Sequence, residues 1–182
     1  MPATKKNIVF AQLLALFIAA FLSTGCGIYK FTDAAVDPKY KTIKINMIEN
    51  HAPYTNVQLS PTLTDRLRQK IVNQTKLSQT NSDNANLDVR GDIRDYSVVT
   101  SGITSNGSGN QRQASINRLT VTVHIIVTDQ LDPEKATPVE FDVSRSFEFS
   151  ASLSLQAAES QLLDEMVRNL TDDIFNRLFS SW

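Results

Sequence analysis

Two histidines, one cysteine, a glycine-serine loop and a few neighbouring acids are the residues of this chain whose types could do chemistry. A zinc site draws three or four ligands from Cys, His and carboxylates. Neither His51 nor His124 stands in an HExxH context, and neither has a second His or a Cys beside it. Both read as surface or hydrogen-bonded side chains. The stretch from Gly102 through Gly107 to Gly109 has glycines that could cradle a phosphate. A P-loop, however, ends in Gly-Lys-Ser/Thr, because the lysine must reach the phosphates, and it opens a helix. Here Ser108 and Gly109 follow, with no helical pattern behind them. Ser108 is not a hydrolase nucleophile either, since that motif is Gly-x-Ser-x-Gly between a strand and a helix. Asp92 with Asp95, and Asp172 with Asp173, have no motif around them and read as solvated charges. No catalytic residue, metal or cofactor is implied, and the expectation is a protein that is not an enzyme.

Composition narrows the classes further. The chain has 182 residues, 18 Lys+Arg against 19 Asp+Glu, and 41% hydrophobic residues. Such a balance lacks the basic excess of a nucleic-acid binder, so no nucleic acid is expected as a partner. It also lacks the polar bias of a disordered chain. One cysteine excludes an internal disulfide and a cysteine-rich metal site.

The elements that position these residues begin after a leader. Lys5 and Lys6 precede an apolar run at 8–22 broken only by Gln12, and Ser23, Thr24 and Gly25 lead to Cys26. This order is that of a secretory signal, and its apolar run is short for a bilayer span of about 20 residues. Residues 1–25 are therefore expected to be a cleaved signal, 26–39 a tether or arm, and 40–182 one domain. The tether's reach is at most about 43 Å at ~3.3 Å per residue, and Tyr29, Phe31 and Val36 predict that part of it docks.

Within the domain, Ile43, Ile45 and Met47 alternate with Thr42, Lys44 and Asn46, a half-buried strand. Ser60-Pro61 reads as N-cap and first helical position, with Leu63, Leu67 and Ile71 as an apolar stripe. Leu87, Val89, Gly91 and Ile93 alternate with acids and arginines, and the phase then slips to Tyr96 and Val98, which predicts a bulge near Asp95. The glycine-rich loop is expected over 101–113, where it should be mobile. Leu119, Val121, Val123, Ile125 and Val127 make a third strand. Phe141, Val143, Phe147 and Phe149 make a fourth. From 155 to 179 the spacing turns helical, with Leu155, Ala158, Leu162, Met166, Leu170, Ile174 and Leu178 in one stripe. The order βαβββα predicts an α+β fold: a mixed four-stranded sheet with two helices packed on one face. The free face would then carry Lys44, Arg90, Arg94, Arg118, Thr120, Thr122, Glu140, Asp142 and Glu148.

Leu-Ser-Thr-Gly-Cys at 22–26 resembles the lipobox of bacterial lipoproteins, with Ser23 where an aliphatic residue is usual. The lipobox with Gly27-Ile28-Tyr29 is similar to the start of the LPS-assembly lipoproteins, the LptE family. Thr42-Ile43-Lys44-Ile45 leading to Glu49-Asn50, Ser60-Pro61-Thr62-Leu63-Thr64, Leu87-Asp88-Val89-Arg90-Gly91-Asp92-Ile93, Asn117 to Val123, and Asp173-Ile174-Phe175-Asn176 resemble that family in the same order. The resemblance implies acylation of Cys26 and a lipid anchor on the periplasmic side of the outer membrane. It implies a large partner, the LPS-transport β-barrel LptD, plugged by the lipoprotein. It also implies binding of lipopolysaccharide and help in its delivery to the cell surface. Other lipoprotein roles share the anchor and a small α/β domain. These are a cell-wall synthase activator, which usually has a longer tether, and an assembly or pilot factor of another envelope machine.

An LPS binder needs cations for phosphates. If the second and third strands pair through the loop, Arg94 and Arg118 come near each other, with Arg90 two residues further along the free face and Lys44 joining from the first strand. The plainer alternative pairs these arginines with Asp88, Asp92 or Glu140 across strands. The first expectation to check is chemical. Intact mass of the native protein should place Cys26 at the mature N-terminus with acyl chains attached; a retained Met1, or a cut elsewhere with a free thiol, contradicts it.

Overall fold

Strand alternation and a helical stripe can share one core only if every apolar side points the same way, and that is the arrangement observed. The computed structural model describes residues 36–54, 56–104, 114–131 and 137–180, all within the unit Thr32–Trp182. The expected signal, Cys26, and residues 105–113 of the loop expected to be mobile lie outside the described residues. The elements are β1 (Thr42–Asn50), α1 (Leu59–Gln74), β2 (Ser78–Gln79), β3 (Leu87–Thr104), β4 (Ala114–Asp129), β5 (Val139–Ser150) and α2 (Leu155–Phe179).

The fold is α+β as expected, but the sheet has five strands rather than four, in the order β2-β1-β3-β4-β5. The added strand β2 is two residues long and pairs in parallel with Thr42 and Ile43. A two-residue strand is too short to show any hydrophobic period, which is why the pattern missed it. β1 runs parallel to β3 across the α1 crossover, and β3, β4 and β5 are antiparallel neighbours. Buried side chains of all four long strands and both helices form a single cluster, among them Ile43, Ile93, Leu119, Ile125, Leu63, Leu67, Met166 and Leu170. Val36 packs against this cluster from the arm.

The bulge near Asp95 is present. Ile93 pairs with Val123 and Asp95 with Thr122, so Arg94 is the extra residue, and Ile93 and Tyr96 both reach the core. A second shift sits between Thr100 and Gly102. Residues 101–104, expected in the loop, are strand instead: the ladder continues from the β-branched residues at 98–100 to Thr104. Gly91 is a close-approach position. A Cβ there would stand 2.8 Å from Ile125 Cδ1 and 3.0 Å from the His124 carbonyl oxygen, so its bare backbone makes room for both.

The start of α1 differs from the expectation. The helix begins at Leu59 after Gln58, with no side-chain cap, and Ser60 is not the N-cap. Its hydroxyl has another task. β1 is an edge beyond its short pairing with β2, and α1 satisfies that edge with polar side chains at i, i+4 and i+8. Ser60 Oγ donates to the Ile48 carbonyl. Thr64 Oγ1 accepts from the Ile48 N–H at 3.0 Å and donates to the Ser60 carbonyl at 2.8 Å. Arg68 donates twice to the Ile45 carbonyl, at 2.8 and 3.2 Å. The helix thus does for β1 what a neighbouring strand does elsewhere.

α2 begins where the stripe predicted, with Ser154 Oγ accepting from the Ala157 N–H at 3.3 Å. Arg145 on β5 points to the helix side and binds Asp173 of α2, with Nη2 at 2.6 Å from Oδ1. Thr64→Val keeps shape but strands the buried Ile48 N–H, so it should lower unfolding free energy by about 1–3 kcal/mol. Chemical denaturation checks this, and an unchanged midpoint contradicts the edge-closing role.

Candidate functional site

Both helices lie on one side, so the opposite face of the sheet is covered by no element of the described chain, and its polar side chains satisfy one another. From β4 to β5 they form a ladder. Arg118 Nη2 meets Glu148 Oε1 at 2.8 Å, Thr120 meets Ser146 at 2.9 Å, Thr122 meets Ser144 at 3.0 Å, and His124 Nδ1 meets Asp142 Oδ1 at 2.7 Å. On β3, Arg90 Nε donates to Asp88 at 2.9 Å and Arg94 Nε to Asp92 at 3.1 Å, with Asp142 4.0 Å from Arg94 Nη1. Lys44 Nζ lies 2.6 Å from Asp83 Oδ1. All four predicted cations therefore lie on or beside this face, and each has a carboxylate partner.

The structure does not bring Arg94 and Arg118 together. Arg94 sits in the bulge level with Thr122 and Val123, whereas Arg118 stands opposite Val99. Four residues of β4 separate the two levels, about 13 Å at ~3.3 Å per residue. The β3–β4 ladder extends beyond Arg118 to Thr104 and Ala114, which the shorter expected strands did not anticipate. Arg90 and Arg94 flank Asp92 on β3 and are likewise four residues apart.

Beside Arg90 the face is concave. β1 bulges between Ile45 and Ile48, which turns both Asn46 and Met47 away from the core. Asn46 Nδ2 bridges to Asp88 Oδ1 at 2.6 Å and to the Val89 carbonyl at 3.0 Å. Met47 is left 54% exposed. It shares a groove of about 360 Å³ with Glu49, His51, Arg90, Asp92 and Ile126. The groove combines two apolar side chains with an outward guanidinium, which suits a ligand that is anionic at one end and apolar at the other.

His124 lies under this face. It is buried between Asp92 on β3 and Asp142 on β5, and its Nε2 is 3.6 Å from Glu140 with no hydrogen-bond partner among the described residues. Among the described residues no group of His, Cys, Asp and Glu could hold a metal.

One polar cluster was missed in the sequence. Glu159 of α2 is buried, and Tyr96 donates to its Oε1 at 2.7 Å and Tyr54 to its Oε2 at 3.4 Å. Burial, then the hydrogen bond to Glu159, pushes the Tyr96 hydroxyl well above the usual tyrosine range. The signal was present: Glu159 stands four residues from both Leu155 and Leu163, an acid on the inward side of the helix.

A family model described as LptE, lipopolysaccharide-assembly, matches residues 40–178. The chain belongs to this family. LptE-family proteins are LPS-assembly lipoproteins and not enzymes. Among solved structures, a hypothetical protein of Chlamydia trachomatis is similar at 12% identity, covering 77% of this chain and 96% of that one, with a TM-score of 0.54. An uncharacterized lipoprotein B from Nitrosomonas europaea is similar at 15% identity, covering 86% and 91%, with a TM-score of 0.49. The rare lipoprotein B from Shewanella oneidensis is 19% identical, covering 75% and 96%, with a TM-score of 0.38. At such identities the Chlamydia structure shows a shared fold alone. No curated protein matches the chain in sequence.

One ion pair beside this face, Lys44 with Asp83, has a pH signature. The hydrogen bond from Lys44, followed by its charge, holds the Asp83 carboxyl below its ordinary 3.8. A depressed carboxylate contributes stability above its unfolded pKa and loses it as pH falls through the folded one. An NMR titration should find Asp83 titrating below 3.8, and Lys44→Met should return it toward that value. The same titration in both proteins contradicts the pair.

Proposed function

We propose that this protein is an outer-membrane lipoprotein, anchored on the periplasmic side through acyl chains on Cys26, that assembles with and plugs the LPS-transport barrel LptD. In this reading it binds lipopolysaccharide and assists its delivery to the cell surface. The observation that carries the reading is membership of the LptE family across residues 40–178. Several acyl chains together make a stable anchor, because each buried CH₂ contributes about 0.8 kcal/mol.

Size and surface support the plug. A compact domain of this length has a radius of gyration of about 15 Å, which calls for one of the very large barrels. The lumen of such barrels is polar. The bare sheet face, with its mutually paired arginines, carboxylates and hydroxyls, suits that wall.

For LPS, the candidate binding cations are Arg90, Arg94, Arg118 and Lys44, and of these four Arg90 alone lines the groove. Arg90 is the most exposed of the four, and Met47 and Ile126 beside it can cover acyl chain. A phosphate would replace Asp88 or Asp92 as partner, and a guanidinium can hold it bidentately. LPS binding by Arg90→Ala/Arg94→Ala should fall at least tenfold at low salt. Arg118→Ala should have a smaller effect, and binding by the native protein should weaken as salt rises. Unchanged affinity in a folded double variant assigns these arginines to the sheet alone.

A further inference from the structure

The two edges of the sheet are finished differently. α1 closes β1 with side chains, but among the described residues none covers β5 in this way. β5 pairs with β4 in unbroken register from Ile116↔Ser150 to Val127↔Val139. Just past its end, the Ala151 N–H bonds the Ser115 carbonyl at 2.9 Å. Bonded residues alternate along an antiparallel pair. Odd-numbered residues of β5 therefore direct their N–H and C=O to β4, and even-numbered ones point theirs outward. The outward set is Glu140, Asp142, Ser144, Ser146 and Glu148, all exposed. Among the described residues no hydrogen bond takes up these backbone groups. A groove of about 380 Å³ runs beside this edge, lined by Asp142 and Ser144 together with Asn176 and Arg177 of α2 and Ser180 just past its end.

We propose that the β5 edge is a docking site for an extended segment of a protein partner, which adds as a further strand and carries basic residues on the bare face of the sheet. Charge selects this occupant. The outward residues offer three carboxylates, each about half exposed, and two hydroxyls, with no cation. Arg118 and His124 of β4, with Arg94 of β3, engage them from the sheet side. A second copy of this chain pairing edge to edge brings only acids and serines to that face, so no register creates an ion pair and several set acid against acid. Arg145, held inward by Asp173, is a further guard against such self-pairing. A strand with Lys or Arg at alternate positions meets opposite charge instead, while its other side chains enter the polar groove. Backbone bonds supply affinity and the alternating side chains supply selectivity. The proposal goes beyond the barrel reading and does not rest on it, because it names only the chemistry of the segment.

The test adds a twelve-residue peptide of alternating Lys and Thr to the intact protein and reads amide exchange by NMR. Amides of Asp142, Ser144 and Ser146 should slow at least tenfold, and a Glu-for-Lys peptide should leave them unchanged. Ser144→Pro and Ser146→Pro remove outward N–H groups and spare the β4 ladder, so each should lose the protection. If a proline variant fails to fold, Glu140→Lys/Glu148→Lys carries the test, since it should reverse the preference toward the Glu peptide. Unchanged exchange at these amides, equal protection by both peptides, binding that survives in a folded proline variant, or a β5-paired dimer would each overturn the proposal.

Discussion

Both helices cover the same face of one sheet, and this single asymmetry governs the rest of the molecule. On the covered face the strands can be almost wholly apolar, and Ile43, Ile93, Leu119, Val121, Val123 and Ile125 are accordingly buried to within a few per cent. Burial at ~25 cal/mol per Å² of apolar surface makes this face the source of cohesion. On the other face no described element arrives, so the polar side chains partner one another across and along the strands. Arg118 with Glu148, the Thr–Ser pairs and His124 with Asp142 are that solution. Pairs of this kind contribute only about 0.2–1 kcal/mol each. Their value lies elsewhere: they keep a large face polar, ordered and nearly neutral, ready to meet either water or the polar wall of a partner.

The same asymmetry sets a problem at the sheet edges. A helix packed beneath β1 can reach around its edge, and Ser60, Thr64 and Arg68 do so from one stripe of α1. α2 packs beneath β5 but engages it through Arg145 and Asp173, which leaves the outward backbone of β5 untouched. One edge is thus finished inside the chain and the other is finished by charge. In the docking proposed for β5, this difference is what directs a partner strand to that edge rather than to β1.

Much of this was legible in the sequence, for physical reasons that particular residues illustrate. A strand with one buried face must alternate, so Leu119 to Val127 announced β4, and the slip from Ile93 to Tyr96 announced the bulge at Arg94. A helix on the core must repeat near 3.6, so the stripe from Leu155 to Leu178 marked α2. Where a side chain's role depends on a distant partner, the pattern was silent. Ser60 looks like an N-cap by its neighbours, yet Ile48 across the β1 edge claims its hydroxyl. Ser78 and Gln79 form β2 only because Thr42 and Ile43 lie alongside. Arg94 and Arg118 share a face, but their separation depends on ladder length and bulge position, neither of which is written locally.

The account's central claim is that the bare sheet face meets a large barrel. Photo-crosslinking residues at Thr120 and Thr122, in the middle of that face on β4, test it in intact cells. The account predicts one dominant adduct from both positions, with a single large outer-membrane β-barrel. Adducts with a cell-wall synthase, or no barrel adduct from either position while the protein is folded and lipidated, would contradict it.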